Sequence, residues 1–126
     1  MLAKTLLTLG LAHLALAKTV VYNWDIMWMR AAPDGFERNV IGINNQWPCP
    51  AIEVDLGDKI VVHMNNMLGN QSTSLHWHGL HQNGTQEMDG ASGITQCPVP
   101  PGSSFTYEFM VSSTDAGVRI YGKNGS

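Results

Sequence analysis

Apolar and polar side chains alternate along several short stretches of this chain, and no other sequence feature constrains its fold as strongly. Every second residue is apolar over residues 20–28, 60–64 and 105–111. A repeat of two residues places side chains on opposite faces of a β-strand. After residue 17, no segment has the 3.6-residue repeat of an amphipathic helix. The pattern therefore predicts an all-β domain.

The predicted strands are short, and turn-forming residues such as Pro48, Pro50 and Gly57 separate them. Strands are predicted over residues 20–28, 39–43, 51–54, 59–65, 74–80 and 105–111. Short strands with a turn about every ten residues are typical of β-sandwiches and barrels. We therefore expect an antiparallel Greek-key β-sandwich, with a mixed α+β domain as the less favoured alternative.

The composition agrees with one folded domain. The chain has 126 residues, of which 44% are hydrophobic and 13% charged, so it can bury a core without help from disulfides. Its formal net charge is −3. A nucleic-acid-binding domain would need a basic face, so nucleic acid is excluded as a partner.

The first 17 residues have the pattern of a secretory signal peptide. Lys4 precedes a run rich in leucine and alanine, and Ala15 and Ala17 form a small-x-small cleavage site. The apolar run is too short to span a bilayer comfortably, and no second apolar segment follows it. We therefore expect cleavage after Ala17 and a secreted or cell-surface protein without a transmembrane segment.

If the chain is secreted, its Asn-x-Ser/Thr sequences can be glycosylated and its cysteines can form a disulfide. Asn70, Asn83 and Asn124 each begin an Asn-x-Ser/Thr acceptor, and we predict glycans at Asn70 and Asn83 on surface loops. The two cysteines, Cys49 and Cys97, would fold in a compartment that permits a disulfide.

Three histidines lie within the segment Leu75–His81. If this segment is a strand, His76 and His78 project from one face, with their backbones roughly 6–7 Å apart, while His81 points to the other face and Trp77 packs inward. The pair could bind one metal ion, serve two neighbouring ions, or simply be solvated. Imidazole alone does not identify the metal, and two ligands do not complete a site.

Acidic residues offer no comparable catalytic arrangement. Glu53, Asp55 and Asp58 surround the turn at residues 56–58, and we interpret them as a solvated edge. The sequence has neither the context of a nucleophilic serine nor a phosphate-binding glycine loop. The histidine pair is therefore the main candidate for chemistry.

Several ordered motifs around this pair resemble the multicopper oxidase family. They are Thr-Ser-Leu-His-Trp-His-Gly-Leu at 73–80, Gln-Asn-Gly-Thr at 82–85, Met-Asp-Gly at 88–90 and Ile-Thr-Gln-Cys-Pro-Val at 94–99. The segments 44–48 and 54–60 resemble the family's opening strands, and the resemblance covers about Thr19 to Val111. The Asn-Gly-Thr and Met-Asp-Gly motifs are more similar to fungal ferroxidases than to plain laccases.

The resemblance implies a copper-binding, cupredoxin-like (plastocyanin-like) domain over residues 18–117, preceded by the signal peptide 1–17. It implies that His76 is a ligand of the type 2 copper and His78 a ligand of the type 3 copper pair. In the family, these coppers reduce dioxygen to water with electrons from iron(II) or phenols. The electrons enter through a type 1 copper in a further cupredoxin domain.

The resemblance ends near Gly117. The family continues into a second His-x-His motif, which supplies more copper ligands, whereas residues 118–126 form a tail unrelated to the family. Codons for Val118 and Arg119 can resemble the start of an intron, so we interpret the tail as translated intron sequence or an error in the predicted gene, with a genuine short isoform as the alternative. We expect Ile120 and Tyr121 to replace the family's strand in part.

Two functions follow as expectations. The first is the amino-terminal domain of a secreted multicopper oxidase, inactive by itself because the further cupredoxin domains complete the copper cluster. The alternative is a stand-alone, non-catalytic, secreted copper-binding module. The family generally pairs the equivalent of Cys97 with a cysteine outside this domain, so we expect Cys97 to be free or bonded to Cys49.

Overall fold

The computed structural model describes residues 17–115 and the backbone of residues 122–124. Its strands are β1 (Thr19–Ala31), β2 (Arg38–Ile43), β3 (Lys59–Asn66), β4 (Leu75–Trp77), β5 (Ser104–Met110) and β6 (Gly122–Asn124). Two short 3₁₀ turns, Gln86–Met88 and Ser113–Asp115, complete the regular structure. The described residues contain no α-helix, which agrees with the all-β prediction, and none of their segments is a helix able to cross a membrane.

Strands β1, β2, β3 and β5 form one sheet in the order β2-β1-β3-β5, and β4 pairs with β6 in a second sheet. The pairs β1/β2, β3/β5 and β4/β6 are antiparallel, but β1 and β3 run parallel. The expectation of a purely antiparallel sandwich was therefore wrong at this pair. Parallel neighbours need a long crossover connection, and β2 with the following loop provides it.

Alternation along β1 and β3 builds the core, as the sequence predicts. Ile26, Ile60, Val62 and Met64 are 0% exposed. His63, which lies between two of these residues on β3, points to the opposite face and is exposed. The two-residue repeat therefore separates a buried face from a solvated face of the four-stranded sheet.

Trp77 of β4 closes the other side of this core. Its side chain is 0% exposed. Its ring centroid lies 6.2 Å from that of Trp24, 5.4 Å from that of Tyr107 and 5.1 Å from that of Phe109. Loss of such a buried aromatic side chain typically costs about 3–5 kcal/mol. Packing of Trp77 therefore fixes β4 against the four-stranded sheet.

A hydrogen bond reinforces this contact. The backbone N–H of Leu75 donates to the hydroxyl of Tyr107 at 3.0 Å. Burial raises the pKa of the Tyr107 hydroxyl, so this group stays neutral. The Tyr107 hydroxyl of β5 thus accepts a hydrogen bond from a backbone N–H of β4 that would otherwise be buried without a partner.

Two predicted strands differ from the structure. Residues 51–54 belong to no strand, although Ile52 and Val54 pack against the core. Pro50 immediately precedes this segment and has no N–H for a ladder, and the two apolar residues are half-buried outside any strand. The strand predicted over residues 74–80 is only Leu75–Trp77.

Asp58 is not part of a solvated edge. It is 2% exposed, and its carboxylate accepts hydrogen bonds from the backbone N–H groups of Lys18 and Asp55, each at 3.0 Å. A carboxylate can be buried where backbone donors satisfy it, and turns at the start of a strand supply such donors.

Cys97 is an exposed free thiol, so the alternative Cys49–Cys97 disulfide is not formed in this structure. Burial raises the pKa of the Cys49 thiol.

In the tail, Ile120 and Tyr121 lie outside the described residues. The backbone of 122–124 pairs with β4, with Lys123 opposite His76. The boundaries 18–117 and 118–126 stay predictions.

The loop that carries Gly90 lies directly against β4. Gly90 has a φ of +78°, and a side chain added there would overlap the carbonyl oxygen of Leu75 and lie 3.2 Å from the Cα of His76. Only glycine permits both this backbone conformation and this close approach. Gly93 has a similar φ of +77° but open space around it.

We expect Gly90→Ala to lower the free energy of unfolding by about 3 kcal/mol or more, because backbone overlap adds to left-handed strain. Gly93→Ala, with strain alone, should lose about 1–2 kcal/mol. Urea unfolding of the two variants and the parent chain measures both values. Equal losses in the two variants would show that the contact with β4 does not matter.

Candidate metal centre

A strand and a turn position the two histidines. β4 ends at Trp77, and the N–H of Leu80 then donates to the carbonyl oxygen of Trp77 at 3.1 Å, which closes a four-residue turn. Gly79 has a φ of +90° at the third position of this turn, where a type II turn requires glycine. His78 therefore lies at the second position of the turn, and Gly79 supplies the positive φ that the turn needs.

The turn keeps the two imidazoles close together. The ring centroids of His76 and His78 are 5.8 Å apart, and their planes are inclined by 80°. The side chain of His76 is 30% exposed, and His78 is exposed. Sequence spacing predicted this proximity from a continuous strand, whereas the structure achieves it through the bend after Trp77. Both rings are accessible from solvent.

The carbonyl oxygen of Asp89 orients the first of these rings. It lies 2.8 Å from Nδ1 of His76 and 3.3 Å from the backbone nitrogen of Trp77. Since a carbonyl oxygen only accepts, Nδ1 of His76 carries the proton, and in the neutral ring Nε2 then holds the lone pair. A hydrogen bond of this kind fixes ring orientation and leaves Nε2 as the atom that can bind a metal.

The loop around Asp89 is itself held in place. The hydroxyl of Ser74 donates to the carbonyl oxygen of Gly90 at 2.8 Å and lies 2.6 Å from the hydroxyl of Ser92. Periodicity could not reveal this support, because it joins segments of irregular structure. The Asp-Gly pair at 89–90 was the available signal, since glycine there marks a close approach of two backbone segments.

The other two histidines that the structure describes do not join the pair. His81 lies 3.3 Å from Asp115, measured between Nδ1 and Oδ1, and His63 contacts the hydroxyl of Thr106 at 3.0 Å on the outer face of β3. Burial acts to raise the pKa of Asp115, but hydrogen bonds from Ser112 and His81 lower it overall. His81 is therefore engaged with a carboxylate away from the pair.

The donor set fits a metal that prefers imidazole, which includes copper. Within the part of the chain that the structure describes, no group of three or more His, Cys, Asp or Glu side chains could hold a metal ion. A tightly bound transition metal usually has three or four protein ligands. His76 and His78 therefore form part of a site that needs further ligands.

Comparison of the sequence with known families gives one clear assignment. A family profile described as multicopper oxidase matches residues 25–121. The iron transport multicopper oxidase fetC of Epichloe festucae is 65% identical over 100 residues, which are 79% of this chain and 16% of that protein. Laccase-1 of Cryptococcus neoformans var. grubii is 58% identical over 91 residues, 72% of this chain and 14% of that protein.

Solved structures agree with these relatives. Fet3p, described as a multicopper oxidase that functions in iron import, superposes with a TM-score of 0.71 at 44% identity, over 75% of this chain and 18% of Fet3p. The laccase of Botrytis aclada gives a TM-score of 0.72 at 41% identity over the same shares.

The expected cupredoxin-like β-sandwich is thus confirmed, since these neighbours share the fold. The chain spans only about a sixth of the length of the relatives it matches, from 14% to 18% in the four comparisons. Most of its own length nevertheless falls within the matched region. On this evidence of sequence and fold, the chain belongs to the multicopper oxidase family.

Proposed function

We propose that this chain forms the copper-binding, amino-terminal cupredoxin domain of a secreted multicopper oxidase. The observation that carries the proposal is the pair His76 and His78, with rings 5.8 Å apart and Nδ1 of His76 hydrogen-bonded to Asp89. In the complete reaction, single electrons from iron(II) or a phenol would reduce dioxygen to water. Copper supplies the one-electron chemistry of such a reaction when it is bound.

In this proposal His76 is a ligand of the type 2 copper and His78 a ligand of the type 3 copper pair. The hydrogen bond to Asp89 supports a ligand role for Nε2 of His76, because it directs the lone pair to that atom. The exposed position of His78 supports access to a metal that other segments also bind. Trp77 positions both histidines by packing in the core between them.

Iron(II) is the substrate that we favour, and a phenol is the second candidate. The relatives include proteins named for iron transport and laccases, and the iron transport oxidase fetC has the higher identity, 65% against 58%. Residues that select a substrate would lie in the remaining length of such oxidases. Further cupredoxin domains would also complete the copper cluster, so the 126 residues alone would not turn over dioxygen.

A stand-alone, non-catalytic copper-binding module is the alternative. The observation in its favour is that both imidazoles are accessible to solvent while no third ligand joins them among the described residues. Such a pair could bind copper weakly, with water filling the other coordination positions. The two functions differ in whether added cupredoxin domains confer oxidase activity.

A copper titration tests the proposed ligands. In the chain by itself, where no further domain supplies ligands, the two imidazoles would share one copper(II) ion. Binding of that ion should weaken by at least about tenfold, or about 1.4 kcal/mol, in His76→Ala and in His78→Ala, because each change removes one of two ligands. His63→Ala is the matched control, since His63 is an exposed strand histidine that contacts Thr106. Calorimetry measures the three affinities.

An equal loss of copper affinity in all three variants would contradict the proposal that His76 and His78 are the specific ligands.

With iron(II) present, the copper-loaded chain should consume no oxygen beyond the background of free copper. Turnover above that background would contradict the proposal that further cupredoxin domains are required.

We also propose that residues 1–17 direct secretion and are removed, and that Asn70 and Asn83 carry glycans. Both asparagines are exposed. The indole N–H of Trp28 donates to Oδ1 of Asn70 at 3.1 Å, so Nδ2, the atom that receives a glycan, stays available. Attachment at Nδ2 would preserve the contact with Trp28.

Expression in a eukaryotic secretory host tests the two glycans. Enzymatic removal of N-glycans should lower the mass of the secreted chain by two glycans, and by one in Ser72→Ala. That substitution destroys the acceptor but retains Asn70 and its hydrogen bond with Trp28. Asn83→Gln should likewise lose one glycan. A mass that does not change on treatment of the parent chain would contradict the proposal.

A further inference from the structure

The backbone nitrogen of Lys18 lies at a buried carboxylate. It is 3.0 Å from Oδ1 of Asp58, whose side chain is 3% exposed. The carbonyl oxygen of Lys18 accepts the N–H of Lys59 at 2.9 Å, which extends the parallel β1/β3 pairing by one residue. Lys18 is also the residue that follows the predicted cleavage site at Ala17. The amino-terminal nitrogen of the mature chain would therefore lie beside the carboxylate of Asp58.

Asp58 joins three parts of the sandwich. Besides Lys18, it receives the N–H of Asp55 at 3.0 Å through Oδ2. Its carbonyl oxygen accepts the N–H of Val111 at 2.9 Å, and the carbonyl oxygen of Val111 accepts the N–H of Gly57 at 2.8 Å. The turn before β3 is thereby tied to the residue before β1 and to the residue after β5. We call this group of contacts the Asp58 corner.

The charges at the Asp58 corner are not balanced. Nζ of Lys18 lies 3.0 Å from Oδ2 of Asp55 and 3.4 Å from Oδ2 of Asp58. Lys59 is already engaged in an ion pair with Glu108 of β5. Among the residues that the structure describes, one lysine side chain therefore faces two carboxylates, and one of these negative charges has no cation of its own.

We propose that removal of residues 1–17 creates a structural ion pair, in which the new α-ammonium group of Lys18 binds the carboxylate of Asp58. A signal peptidase would hydrolyse the Ala17–Lys18 peptide bond with one water molecule. The carbonyl carbon of Ala17 becomes a carboxylate, and the nitrogen of Lys18 becomes an amine that takes up a proton at neutral pH. This inference rests on the proposed cleavage site.

The ion pair would strengthen a contact that already has the right geometry. A charged donor makes a shorter and stronger hydrogen bond than a neutral amide does. Burial of an ion pair usually costs desolvation energy. Here the carboxylate of Asp58 is already buried and hydrogen-bonded, while Lys18 lies at an exposed edge. Most of the desolvation cost is therefore present before the new charge forms.

The ion pair has a characteristic pH dependence. Hydrogen bonding from the backbone of Lys18, and then from Asp55, holds the pKa of Asp58 below its ordinary value, so this carboxylate stays charged near neutral pH. A free α-amine has a pKa of about 7.7–8.0, and the pair with Asp58 should raise it. Stability from the pair is then complete below that range and is lost as the pH rises through the raised pKa.

The test uses the full chain secreted from a eukaryotic host. Its intact mass shows whether Lys18 is the first residue. The rate of α-amine acetylation by acetic anhydride, followed by mass spectrometry across pH, gives the pKa of that amine. We expect a value above 8 in the parent chain and in Asp55→Asn, the matched control, and a return to about 7.7–8.0 in Asp58→Asn.

A second measurement needs no substitution at Asp58. Two secreted forms, beginning at Lys18 and at Ala17, are compared by thermal unfolding between pH 7 and pH 10. As the pH rises through this range, the amine of Lys18 loses its proton and the ion pair is lost. Only the form that begins at Lys18 should therefore lose this part of its thermal stability. A first residue other than Lys18 overturns the cleavage site as well as the ion pair. An ordinary amine pKa on Lys18 overturns the ion pair alone.

Discussion

The carbonyl oxygen of Asp89 is the contact on which the rest of the candidate centre depends. It accepts from Nδ1 of His76 and from the backbone of Trp77, so one acceptor fixes both a ring and the end of β4. This contact exists only because Gly90 allows its loop to lie against the strand. Metal binding by the histidines therefore depends on the close contact between the backbone at Gly90 and β4 as well as on the imidazoles themselves.

The same short strand links the centre to the core. Trp77 is fully buried among aromatic side chains of β1 and β5, while its neighbours His76 and His78 face outward. A ring held this firmly restricts the backbone on both sides of it. The histidines thus gain their positions from hydrophobic packing, which supplies far more energy than two exposed imidazoles could.

Sequence reasoning predicted the fold class and the proximity of His76 and His78, because alternation and the His-x-His spacing are local signals. It could not predict that β1 and β3 are parallel, since that depends on how a crossover returns to the sheet. It also placed Asp58 in solvent and extended β4 beyond Trp77. Both errors come from hydrogen bonds that leave no periodic trace: the backbone N–H of Lys18 binds the carboxylate of Asp58, and the N–H of Leu80 closes the turn after Trp77.

Pulsed electron paramagnetic resonance on the copper(II)-loaded full chain tests the central claim most directly, since it detects the remote nitrogen of each bound imidazole. We expect signals from two imidazoles in the parent chain and from one in His78→Ala. His63→Ala should leave both. Signals that are absent, or that persist unchanged when His76 and His78 are both replaced, would contradict the assignment of these two residues as the copper ligands.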